Sequence, residues 1–163
     1  MRRSVVVAAA LLAACGGGGG GQAVGASASA IQAVQEFMGA ARDSNMTRMA
    51  ALWGASGGPA GQTRSPKDWE RRLVVLQAYL RGDSARVTSD VGVSGDANRR
   101  RLVVSLFRAT CATPIPVVAI RTRSGSWIVN SVDLSSAGNP ARPCEPGSRP
   151  NRGPWEPGSG RRR

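Results

Sequence analysis

Apolar positions recur along this chain at two periods, helical in the first half and alternating in the second. From Ser29, Ile31, Val34, Phe37, Met38 and Ala41 fall on one helical face, leaving Gln32, Gln35, Glu36 and Arg42 to water. Ser29 can cap this helix while Gln32, three residues on, reaches back as in a capping box. Asp43-Ser44-Asn45 interrupts the pattern, and Met46, Met49, Ala50 and Trp53 form a shorter stripe that Gly54 ends. Methionine and tryptophan at this spacing read as core rather than as ligand-binding groups. Gly54 to Arg64 is rich in Gly, Ser and Pro and is read as a loop, a candidate mobile lip. Ser65-Pro66-Lys67-Asp68 then predicts a third helix, with Ser65 as cap, Pro66 at the first helical position, and Asp68 and Glu70 near the positive end of the dipole. Trp69, Leu73, Leu76 and Leu80 follow on one face until Gly82.

Beyond Gly82 the period drops to two. Ala85 to Ser94 sets Val87, Val91 and Val93 against Arg86, Thr88 and Asp90, and Gly95-Asp96-Ala97-Asn98 turns the chain. Arg99 to Ala109, Ile115 to Arg123 and Ser126 to Leu134 read as three more strands, the last two joined at Ser124-Gly125. Helices first and antiparallel strands after define an α+β class. The expected architecture is three N-terminal helices packed on a curved, cone-like, four-stranded antiparallel sheet over residues 28–134.

The ends of the chain have a different character. Met1-Arg2-Arg3-Ser4 followed by Val5 to Leu12 is a cationic start and a short apolar run, the pattern of a signal peptide. The run is shorter than the roughly 18 residues a spanning helix needs. Leu12-Ala13-Ala14-Cys15 resembles the lipobox of bacterial lipoproteins. That resemblance implies loss of residues 1–14 and acylation of Cys15, with a palmitate-type lipid anchor in the cell envelope. Two or more acyl chains make such anchoring stable where one is marginal. Gly16 in place of an aspartate after the cysteine implies, by the enterobacterial sorting rule, the outer membrane facing the periplasm. The competing reading is an ordinary secreted signal in which Cys15 is accidental. Residues 15–27 then form a Gly-rich linker, and residues 135–163 a Pro/Gly/Arg-rich tail whose composition cannot support a core.

The order of elements resembles the superfamily of nuclear transport factor 2 and ketosteroid isomerase, particularly its small exported members of unknown function. The carrying features are the early amphipathic helix, the short Met49-to-Trp53 helix, the Trp69-to-Leu80 helix, and the hairpin from Arg121 to Val129. That superfamily hosts enzymes, carriers and interaction modules on one cone, so the resemblance implies a fold rather than a function.

Charge and chemistry narrow the choice. The chain carries 22 Lys+Arg against 10 Asp+Glu, a formal +12, and Lys67 is its one lysine. Residues 28–134 hold 14 basic and 8 acidic side chains, and the tail holds 6 and 2. An anionic envelope polymer or lipid surface is the expected partner for such a tail, set against a purely solvated one. Nucleic acid is not expected, because aromatics are 4% of the chain and stacking platforms are scarce. There is no histidine, which removes the commonest general base and metal ligand, and no metal or cofactor is expected.

Asp90, Asp133 and Tyr79 are the candidates for a pocket. A carboxylate buried in the cone would have a raised pKa; otherwise both aspartates face water or pair with arginine. With Cys15 lipidated, Cys111 and Cys144 are left over and invite a disulfide that would staple the tail across the sheet edge. The leading expectation is a membrane-anchored lipoprotein whose domain binds an envelope protein or small apolar ligand without catalysis. The alternatives are a small enzyme using carboxylates in the cone, and adhesion to envelope polymers through the basic tail.

Overall fold

The computed structural model describes residues 27–142; Cys15, the glycine-rich linker up to residue 26, Cys144 and the tail from residue 143 lie outside them. The first helix, α1 (Ala30–Arg42), starts as its sequence dictates. Ser29 Oγ accepts from Gln32 N at 3.1 Å, although Gln32 Oε1 reaches back to the amide of Ala28 rather than of Ser29. Val34, Phe37, Met38 and Ala41 are buried, but Ile31 is 38% exposed at the helix entry. Glu36 also departs from the expected wet face. It is half-buried and accepts from Ser27 Oγ, Gln32 Nε2 and the Arg48 guanidinium, so it ties the chain entry to the second helix.

That second helix, α2 (Met46–Leu52), is capped by Asn45 and buries Met49, Ala50 and Leu52. The expected loop after it is instead structured. Strands β1 (Gly54–Ala55) and β2 (Gly58–Pro59) pair as a minimal hairpin, and α3 (Ala60–Thr63) follows, with Ala60 N donating to Trp53 O at 2.7 Å. Only glycine fits at position 54, because a Cβ there would lie 2.4 Å from the Gly58 carbonyl. The long helix α4 (Trp69–Leu80) begins later than expected, and Ser65 does not cap it. Residues 66–69 form a turn in which Trp69 N donates to Pro66 O, and Asp68 spends its carboxylate on Arg72 Nε at 3.0 Å. The helical part therefore has four helices rather than three.

The sheet is an antiparallel meander in the order β3 (Ser84–Val93), β4 (Asp96–Arg108), β5 (Cys111–Arg121), β6 (Trp127–Val132). It is open: β3 and β6 form opposite edges and do not meet, so the curved, cone-like sheet expected from the sequence is not found. One reason lies in β3. A bulge between Val87 and Ser89 shifts its register, and the side-chain period of two makes such a shift exchange the faces. Asp90 consequently pairs opposite Leu102 on the helix side, whereas Val91 lies opposite Arg101 and is 57% exposed. No side chain of β3 is fully buried, so that strand has little apolar surface with which to enclose a cavity. The core lies between the helices and β4–β6, through Leu102, Val104 and Leu106, Ile115 and Val117, and Val129.

One arginine closes this core. Arg108 continues the inward alternation of Leu102, Val104 and Leu106 and is only 7% exposed. Its guanidinium donates to Arg81 O at 2.9 Å, to Ala137 O at 2.8 Å and to Tyr79 O. The first and last of these are carbonyls of the α4 C-terminus, which an isolated helix leaves without partners. Ala137 belongs to a 3-10 turn, Leu134–Ala137, that follows β6. Burial lowers the guanidinium pKa from its ordinary value, yet arginine starts so high that it stays charged.

Arg108→Met keeps much of the volume and leaves three carbonyls without this donor. We expect a loss of about 3 kcal/mol, from the cost of buried carbonyls and charge-assisted hydrogen bonds. Urea unfolding of the two proteins measures it, and an unchanged midpoint would show that Arg108 holds nothing together.

Candidate functional site

The helical layer leaves a cleft of about 560 Å³ between α2, α3 and α4. Met46, Ala50 and Ala51 form the α2 wall, Gly61 and Gln62 the α3 edge, and Trp69, Leu73 and Val74 the α4 wall. Ala50 and Leu73 are buried at its floor, Met46 and Trp69 are half-buried, and Val74, 57% exposed, stands at its mouth. Gly61 brings α3 close to α2, since a Cβ there would lie 3.2 Å from Ala50 Cβ. The polar lining consists of Thr47, Gln62 and Glu70, all exposed. A volume of this size with few polar groups suits a small apolar molecule.

A second depression of about 390 Å³ lies on the other flank of α4, against β6. It is lined by Trp53, Val75, Leu76, Val132 and Leu134 together with Asp68, Arg71 and Arg72, and is thus far more charged. A third, of about 450 Å³, is polar and lies at the tip of the β5–β6 hairpin, where Arg121 and Arg123 line it with Ser56 and Asn98.

The residues singled out from sequence are not brought together. Asp90 forms an ion pair with Arg100 Nε at 2.7 Å, one of the two outcomes expected for it. Asp133 is exposed at the end of β6, where its carboxylate accepts from Ser135 N, Ser135 Oγ and Ser136 Oγ and caps the 3-10 turn. These serine hydrogen bonds lower its pKa, the opposite of the rise that burial in a cone would cause. Tyr79 is half-buried on α4, packs against the core, and gives its carbonyl to Arg108. None of the three lines the clefts described above.

The expected Cys111–Cys144 staple is not part of the described fold. Cys111 is the one cysteine among the described residues, so no bridge joins two of them; it is disulfide-bonded, and Cys144 lies outside. Cys111 sits at the start of β5, paired in register with Arg108. Among the described residues no three His, Cys, Asp or Glu side chains are grouped to hold a metal, and no helix is long and apolar enough to cross a membrane. No protein-family model, curated protein or solved structure matches the chain.

Sequence reasoning missed the cleft because one of its walls fell inside the supposed loop. Ala60-Gly61-Gln62-Thr63 is a single turn of helix, too short to show a period. Its other two walls were visible as apolar stripes, and the half-buried Met46 and Trp69 serve both core and cleft.

Because the folded-state pKa of Asp133 is depressed, its capping contribution is complete above the ordinary aspartate pKa and fades as pH falls through the folded value. Carboxyl NMR titration should give Asp133 a midpoint below that of an unfolded aspartate, and Ser135→Ala with Ser136→Ala should raise it. A midpoint at or above the ordinary value would contradict the capping geometry.

Proposed function

We propose that this chain is a bacterial envelope lipoprotein, anchored through acyl chains on Cys15, whose domain binds a small apolar ligand in the α2–α3–α4 cleft. The observation that carries the ligand reading is the cleft itself: about 560 Å³ lined mainly by Met46, Ala50, Ala51, Trp69, Leu73 and Val74. Apolar lining with polar groups confined to the edge favours burial of hydrocarbon at about 25 cal/mol per Å², with Gln62 and Glu70 available to a polar end. The anchor is supported by the Leu12-Ala13-Ala14-Cys15 lipobox behind a charged start and short apolar run. A carboxylate enzyme is less well supported, since Asp90 is held by Arg100 and Asp133 by two serines.

Two measurements test the two halves. Metabolic labelling with a palmitate analogue should mark the wild-type chain and not Cys15→Ser; equal labelling would remove the anchor. The mature chain should enhance the fluorescence of the neutral apolar probe N-phenylnaphthylamine. Ala51→Trp, which fills the cleft from α2, should weaken that binding at least tenfold at unchanged thermal stability. Undiminished probe binding in a folded Ala51→Trp protein would reject the cleft as the site.

A further inference from the structure

We infer that the end of the domain carrying the β5–β6 hairpin tip is a membrane-facing surface that rests on anionic phospholipid head groups. The inference builds on the lipid anchor proposed above and adds an orientation to it.

Its first support is where the described chain begins. Ser27 is buried beside Trp127, whose amide donates to Ser27 O at 3.0 Å, in an isolated bridge at the start of β6. The preceding chain therefore joins the domain next to the hairpin turn formed by residues 122–126. Eleven residues separate Ser27 from Cys15, and the twelve steps between the two span at most about 40 Å even fully extended. An acylated Cys15 thus keeps this end of the domain closer to the bilayer than the domain's own rotation alone would.

The second support is the charge found at that end. Arg121 and Arg123 line the polar depression with Ser56, Asn98, Thr122 and Gly125. The backbone of Arg123 is fixed by its amide donating to Ser56 O, and Arg121 Nε donates to Gly125 O across the turn. Arg99, Arg100 and Arg101 lie beside them in register, Arg99 opposite Ile120 and Arg101 opposite Val118. The acids at this end are Asp90, Asp96 and, beside Ser27, the half-buried Glu36, and each is already paired, with Arg100, Arg99 and Arg48 respectively. Among the described residues no ion pair involves Arg101, Arg121 or Arg123, and all three are exposed.

A tether and an arginine cluster at the same end fit a surface of phosphate-bearing head groups. The guanidinium fork matches phosphate geometry, and each basic residue near an anionic membrane strengthens binding about fivefold. The apolar cleft between α2 and α4 is lined by none of these residues, so the lipid surface and the ligand cleft are separate.

The test uses the mature chain from residue 15 with Cys15→Ser, so that no acyl chain contributes, sedimented with vesicles of phosphatidylglycerol and phosphatidylcholine. Arg121→Gln with Arg123→Gln should weaken binding to phosphatidylglycerol vesicles about 25-fold. Arg123→Gln alone, which leaves the Arg121–Gly125 contact in place, should weaken it about fivefold. Arg81→Gln removes the same charge beside the α4 C-terminus, away from the hairpin tip, and should change little. The basic tail is present in every variant and cancels from the comparison. Binding that is equal on pure phosphatidylcholine, unchanged by the double substitution, or weakened as much by Arg81→Gln would overturn the inference. Palmitate labelling of wild-type Cys15 reads the anchor independently, so a labelled protein with an inert hairpin tip rejects the orientation and leaves the anchor standing.

Discussion

The buried guanidinium of Arg108 is the contact on which the arrangement of layers depends. It sits on the inner face of β4 and reaches the carbonyls of Tyr79 and Arg81 at the end of α4, and of Ala137 after β6. A planar group with five donors in fixed directions can serve three carbonyls at once, which a lysine ammonium does with less directional control. The C-terminus of α4 is thereby pinned to the sheet, and the chain beyond the last strand is pinned to α4. Desolvating a cation is costly, and the cost is offset only while all these acceptors stay in place, so the contact favours one packing over near alternatives.

The consequence for the site is geometric. With its C-terminal end held by Arg108 and its inner stripe of Leu73, Leu76 and Leu80 buried, α4 stands as a ridge whose outer face carries Val74 and Val75. The apolar cleft lies on one flank, toward α2 and α3, and a charged depression on the other, toward β6. The hairpin of β1 and β2, held tight by Gly54, turns the chain back so that α3 packs on α2 and completes the wall. The ion-pair hub at Glu36 fixes α1 against α2 and the chain entry at Ser27. The cleft is therefore built on the helical layer rather than enclosed by the sheet.

How much of this could be read from the residues follows from what each feature depends on. The α1 helix was legible because its cap, Ser29, and its apolar stripe are local, and the meander was legible because Gly95-Asp96 and Ser124-Gly125 mark turns between apolar runs, with β4 and β5 pairing in unbroken register. Asp90 and Val91 exchanged faces because a bulge at Val87 and Ser89 is set by pairing with β4, which no local pattern of β3 records. Ser65 looked like a cap, but the turn at residues 66–69 and the Asp68–Arg72 pair moved the helix start to Trp69. Arg108 was visible only as a charge continuing an apolar alternation, a signal that reads equally as a strand emerging into solvent. Asp90, Asp133 and Tyr79 are candidates only for a pocket inside a curved, cone-like sheet, and with the sheet open that pocket does not form.

Whether an apolar ligand sits between α2 and α4, as proposed above, is a question of which methyl groups it touches. The most direct measurement is intermolecular NOE spectroscopy on the mature protein saturated with N-phenylnaphthylamine, with methyl groups labelled. A probe seated in the cleft should show contacts to the methyl groups of Met46, Leu73 and Val74, which line it together. Contacts to Val75, Leu76 and Val132 on the opposite flank, or no contacts to described methyl groups, would contradict it.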